Sequence, residues 1–157
     1  MLRLLITLCC LLLSQTSGAV EIPIAQNLQK SYQTSGINEA HQQKVVLLLV
    51  SQPNCTYCAL INAEILHPMI LSGHYQNTTL FTELEINTGR QVKDFSGQSV
   101  DANAFAQRYN AWATPTLLFL NRKGEEIAEK IVGINTLDLY NYYVDKSLRL
   151  AFKKINP

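Results

Sequence analysis

The chain has 157 residues, 47% of them hydrophobic and 16% charged, with a formal net charge of +1. That length can bury a core of its own, and the mixture of apolar and charged residues excludes both a disordered chain and a bundle of membrane helices. A charge so close to zero also excludes the broad basic field that draws nucleic acid or an anionic membrane surface.

In chain order, the first nineteen residues read as an export signal. Arg3 supplies a positive start, "LLITLCCLLL" an apolar run, and Ser17 and Ala19 small residues at cleavage spacing, with the cut expected after Ala19. A membrane anchor is the competing reading, but ten apolar residues rise only about 15 Å as a helix, half the hydrocarbon thickness of a bilayer. Cys9 and Cys10 lie inside the apolar run and none stands at its end, which argues against a lipoprotein signal. The expected plan is a signal over 1–19, a lead-in over 20–43, one folded domain over 44–152 and a tail over 153–157.

Cleavage removes Arg3, Cys9 and Cys10, leaving zero net charge and Cys55 and Cys58 as the remaining cysteines. A disulfide closing so small a loop takes little entropy from the unfolded chain, so the pair reads as chemical rather than structural.

The lead-in is polar with scattered apolar positions, Leu28, Tyr32, Ile37 and Ala40, enough for one or two helical turns. "KVVLLLV", Lys44 to Val50, is a continuous apolar run, as expected of a central strand covered on both faces. Pro53 and Asn54 end it. From Cys55 on, Cys58, Ile61, Ile65 and Met69 recur at helical spacing, so a helix begins at the cysteines, and Pro68 should kink or stop it. "TLFTELEIN" alternates as a second strand, followed by a polar loop around Gly89 and Gly97. Asp101 can cap a helix through Tyr109. "TLLFL", "NRKG" and "EEIAEKIV" form a strand, a turn and a strand, most simply an antiparallel hairpin. Leu137, Tyr140, Val144, Leu148 and Ala151 mark one face of a closing helix. The fold class is therefore α/β, a central mixed sheet with helices on both faces.

A thiol attacks only as thiolate, and a free cysteine at neutral pH is mostly protonated. The unpaired N–H groups and dipole of a helix N-terminus place partial positive charge beside Cys55, which marks it as the attacking sulfur. One turn further, Cys58 falls on the same side and can resolve the mixed disulfide. Thr56 and Tyr57, through contacts with the sulfurs, tune the potential. The competing reading is half of a zinc site, which lacks a second pair of ligands: no cysteine remains, and His41, His67 and His74 do not have ligand spacing. No metal is expected, and His67 and His74 read as surface residues near a helix end.

With its C-x-x-C, the segment "RYNAWATPTLLFLNRKGEEIAEKIVG" resembles the thioredoxin superfamily over roughly residues 44 to 150. Its signal, "DFSGQSVDANAFAQRY" and "TPTLLFL" are most similar to the SoxW-type periplasmic thioredoxins. The resemblance implies a thioredoxin-like fold with a cis-proline loop beside the C-x-x-C helix, Pro115 packing against the disulfide and Thr114 presenting backbone groups to an extended substrate. Asn54 stands where relatives usually have tryptophan, and Leu49 where they have a buried aspartate that moves the proton of the second cysteine. Glu83 stands where they carry that aspartate's lysine partner; two readings stand side by side, a substitute proton acceptor for Cys58 and a solvated edge charge. Trp112, the single tryptophan, should sit near the disulfide and line the substrate groove.

The function implied by the resemblance is a periplasmic thiol–disulfide oxidoreductase without a dissociable cofactor, a reductant of exported client proteins. Its electron donor would be a membrane thiol reductase of the DsbD or CcdA kind, and it would act as a monomer. Oxidants and reductants on this fold differ by about 150 mV, about 7 kcal/mol, through local interactions that spacing does not report. The alternatives are an oxidase or isomerase, the latter disfavoured because 20–43 is too short for a dimerisation domain, and a copper or zinc carrier using the two thiols. A binding module using Lys146, Arg149, Lys153 and Lys154 is a further alternative, although positive charge near a helix C-terminus fits the dipole and a solvated face. The sequons at Asn54 and Asn77 matter only in a eukaryotic secretory pathway.

Overall fold

A computed structural model describes residues 21–157, so the signal expected over 1–19 lies outside the described residues. The elements run α1 (Leu28–Ser35), β1 (Val45–Ser51), α2 (Thr56–Ile61), a π-helical turn (Asn62–Leu66), α3 (His67–Leu71), β2 (Thr79–Glu85), β3 (Gln91–Lys93), β4 (Ser99–Asp101), α4 (Ala102–Gln107), β5 (Thr116–Leu120), β6 (Glu126–Val132) and α5 (Leu137–Ile155).

The apolar run of β1 is buried at every position, because the strand lies inside the sheet and has helices over both faces. Sheet order is β2-β1-β5-β6, with β2 parallel to β1 and β5 and β6 antiparallel to their neighbours. Alternation divides the core. Val45, Leu47 and Leu49 pack with Ile61 and Leu66 of the cysteine helix and with Val144 and Leu148 of α5. Val46, Leu48 and Val50 point the other way, onto Leu28 and Tyr32 of α1 and Phe105 of α4. Each such side chain contributes about 1.5–3 kcal/mol by leaving water. The expected α/β fold, a mixed sheet with helices on both faces, is the one observed.

Five local expectations are corrected. Pro68 does not stop the cysteine helix, which continues to Leu71. Proline has no N–H for the preceding turn, and the chain accommodates it with a π-helical turn in which the His67 N–H donates to the Asn62 carbonyl. His67 is half-buried rather than a surface residue, and its Nε2 is buried without a hydrogen-bond partner. The polar loop after β2 contains a short antiparallel pair, β3 and β4. Asp101 caps α4 as expected, accepting from the N–H groups of Asn103 and Ala104, but the helix ends at Gln107 rather than Tyr109. Leu137 opens α5 without joining its buried face, which is made by Tyr140, Val144, Leu148 and Ala151.

The lead-in also does more than approach the domain. Ile22 joins one core cluster and Ala25, Leu28 and Tyr32 the other, while the Ala25 N–H donates to the Glu83 carbonyl at 2.7 Å and the Glu83 N–H to the Pro23 carbonyl at 3.0 Å. Residues 22–27 thereby cover the free edge of β2, and Asn27 caps α1 by accepting from the Lys30 N–H.

Between β3 and β4 the chain turns around Asp94, which is 5% exposed. Its carboxylate accepts from the Ser96 N–H at 2.9 Å, the Ser96 hydroxyl at 2.6 Å, the Gln98 N–H at 3.1 Å and the Arg108 guanidinium at 2.8 Å. Burial alone would raise its pKa, but these donors outweigh burial and hold it at about 2. The hairpin is thus fastened to the end of α4. No helix among the described residues is long and apolar enough to cross a membrane.

Candidate active site

β1 ends at Ser51, and the exposed residues Gln52, Pro53 and Asn54 carry the chain from the C-terminal end of this interior strand to the cysteines. Asn54 has φ 60°, a left-handed conformation that asparagine tolerates better than bulky residues do. Cys55 is the extended N-cap of α2, and its sulfur accepts from the Cys58 N–H at 3.1 Å. The two sulfurs are joined in a disulfide with the Cα atoms 5.2 Å apart.

Exposure separates their roles. Cys55 is half-buried beyond the C-terminal end of β1, whereas Cys58 is 5% exposed. In the dithiol form, an anion on Cys55 would face the free N–H groups of the first helical turn, of which the Cys58 N–H already points at its sulfur. Thr56 and Tyr57 between them are exposed, Tyr57 at 64%.

An open cleft of about 670 Å³ lies beside the disulfide, with Cys55, Thr56, Cys58, Asn62, Glu83 and Glu85 among its walls. Glu83 pairs in register with Leu49, and Glu85 with Ser51, so both carboxylates rise on the face that carries the cysteine helix. Burial raises the pKa of Glu83, opposed by the Ser51 hydroxyl and reinforced by Glu85 and Glu21. That hydroxyl is near enough to influence the carboxyl yet makes no hydrogen bond of good geometry. Arg90 holds Glu85 at 3.2 Å. Sequence reasoning placed Glu83 here but missed Glu85, Asn62 and Ser51. The two-residue period of β2 put Glu85 on the Glu83 face, and the spacing of four from Cys58 put Asn62 one turn along the helix.

The Thr114–Pro115 loop reaches the same end of the sheet by strand pairing. Thr116 opposes Val50, so the residues just before β5 lie beside the end of β1. The Thr114–Pro115 peptide bond is cis, Pro115 is buried, and its carbonyl accepts from the Gly133 N–H at 2.8 Å. Thr114 is half-buried and Trp112 is 76% exposed. Neither they nor Tyr57 and Pro115 are among the walls of the cleft, which unites only Cys55, Cys58, Thr56 and Glu83 of the anticipated residues. Among the described residues no group of three or more His, Cys, Asp or Glu side chains is placed to hold a metal ion.

Residues 23–147 match the family model described as a thioredoxin-like domain. No protein of curated function matches the chain by sequence. Among solved structures, the oxidised form of mitochondrial thioredoxin 3 from Saccharomyces cerevisiae is similar at 16% identity and a TM-score of 0.52, over 82% of this chain and 93% of that one. The short form of thioredoxin f from spinach chloroplast is similar at 15% identity and a TM-score of 0.51, over 84% and 96% of the two chains. At such identities the likeness is one of fold.

Proposed function

The chain belongs to the thioredoxin-like family, and from that premise we propose that it is a thiol–disulfide oxidoreductase that reduces disulfides of exported proteins in the periplasm. The observation that carries this reading is the Cys55–Cys58 disulfide, with the half-buried Cys55 at a helix start and the buried Cys58 one turn inside.

In the dithiol form the Cys55 thiolate attacks a client disulfide, one client sulfur leaves as thiolate, and a mixed disulfide forms. Cys58 loses its proton and attacks Cys55 Sγ, releasing the second client thiolate and closing the Cys55–Cys58 bond. Two electrons pass to the client, and its two thiolates take up two protons. Glu83 accepts the Cys58 proton; a carboxylate whose pKa is raised is a better base than one at its ordinary value. Thr114 and Pro115 present backbone to an extended client, and the exposed rings of Trp112 and Tyr57 supply apolar contact to it.

A membrane thiol reductase of the DsbD or CcdA kind restores the dithiol, and the protein works as a monomer. The SoxW-type likeness and the signal over 1–19 support the reductant direction and the exported setting. The test is trapping with Cys58→Ser: reducible, disulfide-linked exported proteins should accumulate on Cys55. An empty trap, with Cys55 shown to be reactive toward a small disulfide, would remove the client-reductase reading. Wild-type protein should also catalyse insulin reduction, and Cys55→Ser should not.

A further inference from the structure

Among the described residues three buried side-chain polar atoms have no hydrogen-bond partner: the Ser51 hydroxyl, His67 Nε2 and the Tyr140 hydroxyl. Buried polar atoms are nearly always satisfied, so a bare one needs a reason. Ser51 is the one set beside the exchange chemistry. It is the last residue of β1 and is 2% exposed. Two residues on from Leu49, which packs with the cysteine helix, it lies on the same face of the sheet. Across the strand pair Ser51 opposes Glu85 and Leu49 opposes Glu83, so the hydroxyl shares that face with both carboxylates of the disulfide cleft.

The two carboxylates differ in what already holds them. Glu85 is drawn to Arg90 at 3.2 Å, whereas Glu83 forms no ion pair among the described residues. Ser51 and Glu83 sit diagonally on adjacent strands, about 8 Å apart at Cα by strand spacing and rise, and a glutamate side chain and a hydroxyl together span that distance with one hydrogen bond. The backbones are fixed on both sides, the Ser51 carbonyl accepting from the Ile86 N–H at 2.9 Å, so rotation of the half-buried Glu83 side chain is enough to close it.

We propose that Ser51 is a positioning residue for the thiol exchange: its hydroxyl donates to the ionised Glu83 carboxylate and holds it toward Cys58, then turns to accept from the Glu83 O–H once the proton has crossed. The Cys58 S–H bond breaks and a Glu83 O–H bond forms, while Ser51 keeps its own proton. A hydroxyl suits both steps because it carries one donor and two acceptor sites on a free rotor. In the disulfide form Cys58 has no proton to give, and the hydroxyl stands bare. The proposal rests on the reading of Glu83 as proton acceptor. The other charged or titratable groups around Glu83 are Glu85 with Arg90, Glu21 of the lead-in, and Cys55 and Cys58 at the start of α2. Burial, then Glu85 and Glu21, raise the Glu83 pKa and the Ser51 hydroxyl opposes them, so loss of the hydroxyl raises it further.

The test is stopped-flow reaction of the reduced full chain with one equivalent of dithiodipyridine from about pH 4 to 8. The first thiopyridone released reports attack by Cys55, and the second reports resolution by Cys58. In the wild type the second phase should quicken as Glu83 ionises. Ser51→Ala should carry that rise to higher pH and slow the second phase by at least about threefold on its acid side, with the first phase unaltered. In a Glu83→Gln background, where the rise is gone, Ser51→Ala should change nothing further. Circular dichroism checks each fold; should Ser51→Ala fail to fold, Ser51→Val, also without a hydroxyl and suited to a strand, takes its place with the same expected shift. A wild-type profile in Ser51→Ala, an equal change in both phases, or an effect that persists beside Glu83→Gln overturns the proposal and leaves Glu83 as the base. A rise that survives Glu83→Gln overturns the base reading and this proposal with it. The probe is a small disulfide, so the outcome of client trapping is read separately.

Discussion

Two carboxylates brought in from solvent behave oppositely. Asp94 sits in the β3–β4 turn with four donors around it and is held at about 2, while Glu83 sits in the cleft beside Cys58 and is pushed up from 4.5. Both feel burial; the difference is supply of donors. The Asp94 turn offers two N–H groups, a hydroxyl and a guanidinium, whereas Glu83 has one poorly aligned hydroxyl and two further carboxylates nearby. A carboxylate so fully satisfied is part of the scaffold, and one left short of donors is available to take a proton.

The largest expected effect tests the satisfied side. Asp94→Ala strands the Ser96 and Gln98 N–H groups and the Arg108 cation, and should cost about 2 kcal/mol of unfolding free energy in urea. A loss below about 0.5 kcal/mol would mean that the turn is held by other contacts. On the other side, Glu83→Gln should slow resolution of the mixed disulfide by about tenfold, a modest share of what a general base supplies. It should also move the titration of Cys58; an unaltered titration would return Glu83 to an ordinary edge charge.

The pH dependence of stability separates the two more sharply, since the signs are opposite. Asp94 has a folded pKa below its ordinary 3.8, so its contribution is complete above that value and is lost as pH falls through about 2. Glu83 has a folded pKa above its ordinary 4.5, so the folded state binds the extra proton, and stability falls as pH rises from about 4.5 through the raised value. Urea denaturation from pH 2 to 8 should therefore show Asp94→Asn flattening the acid limb, and Glu83→Gln removing the decline above pH 4.5. If both variants altered the same limb, the contrast would fail. The smallest effect belongs to the neighbouring surface pair: Arg90 is 56% exposed beside Glu85, and Arg90→Ala should change stability by less than about 0.5 kcal/mol in the same assay.

Much of this was legible beforehand, for local reasons. The run Lys44–Val50 could satisfy its side chains only inside a covered sheet, and the cysteine spacing on a helical period left little choice about which sulfur caps the helix. Pro68 misled because proline's missing donor predicts a break in an isolated helix, while a packed one can shift to π-type bonding and keep Met69 in the core. The lead-in was under-read because Ile22, Ala25, Leu28 and Tyr32 are too sparse to announce a buried segment until β2 provides an edge for them. His67 and the Tyr140 hydroxyl gave no sign in the sequence, since an unpartnered buried atom is defined by its neighbours and not by its type.

The sequence by itself determined the alternation of elements, the continuous burial of β1 and the pairing of Cys55 with Cys58, because these depend on side-chain period and on contacts within a turn or two. Only the tertiary structure decided that Glu85 and Asn62 join Glu83 and Cys58 in one cleft, that residues 22–27 cover the free edge of β2, and that β6 and α5 leave a groove between them. Those are meetings of residues distant along the chain, set by strand order and helix placement, and the solvation and charge that each group feels exist only once the elements have packed.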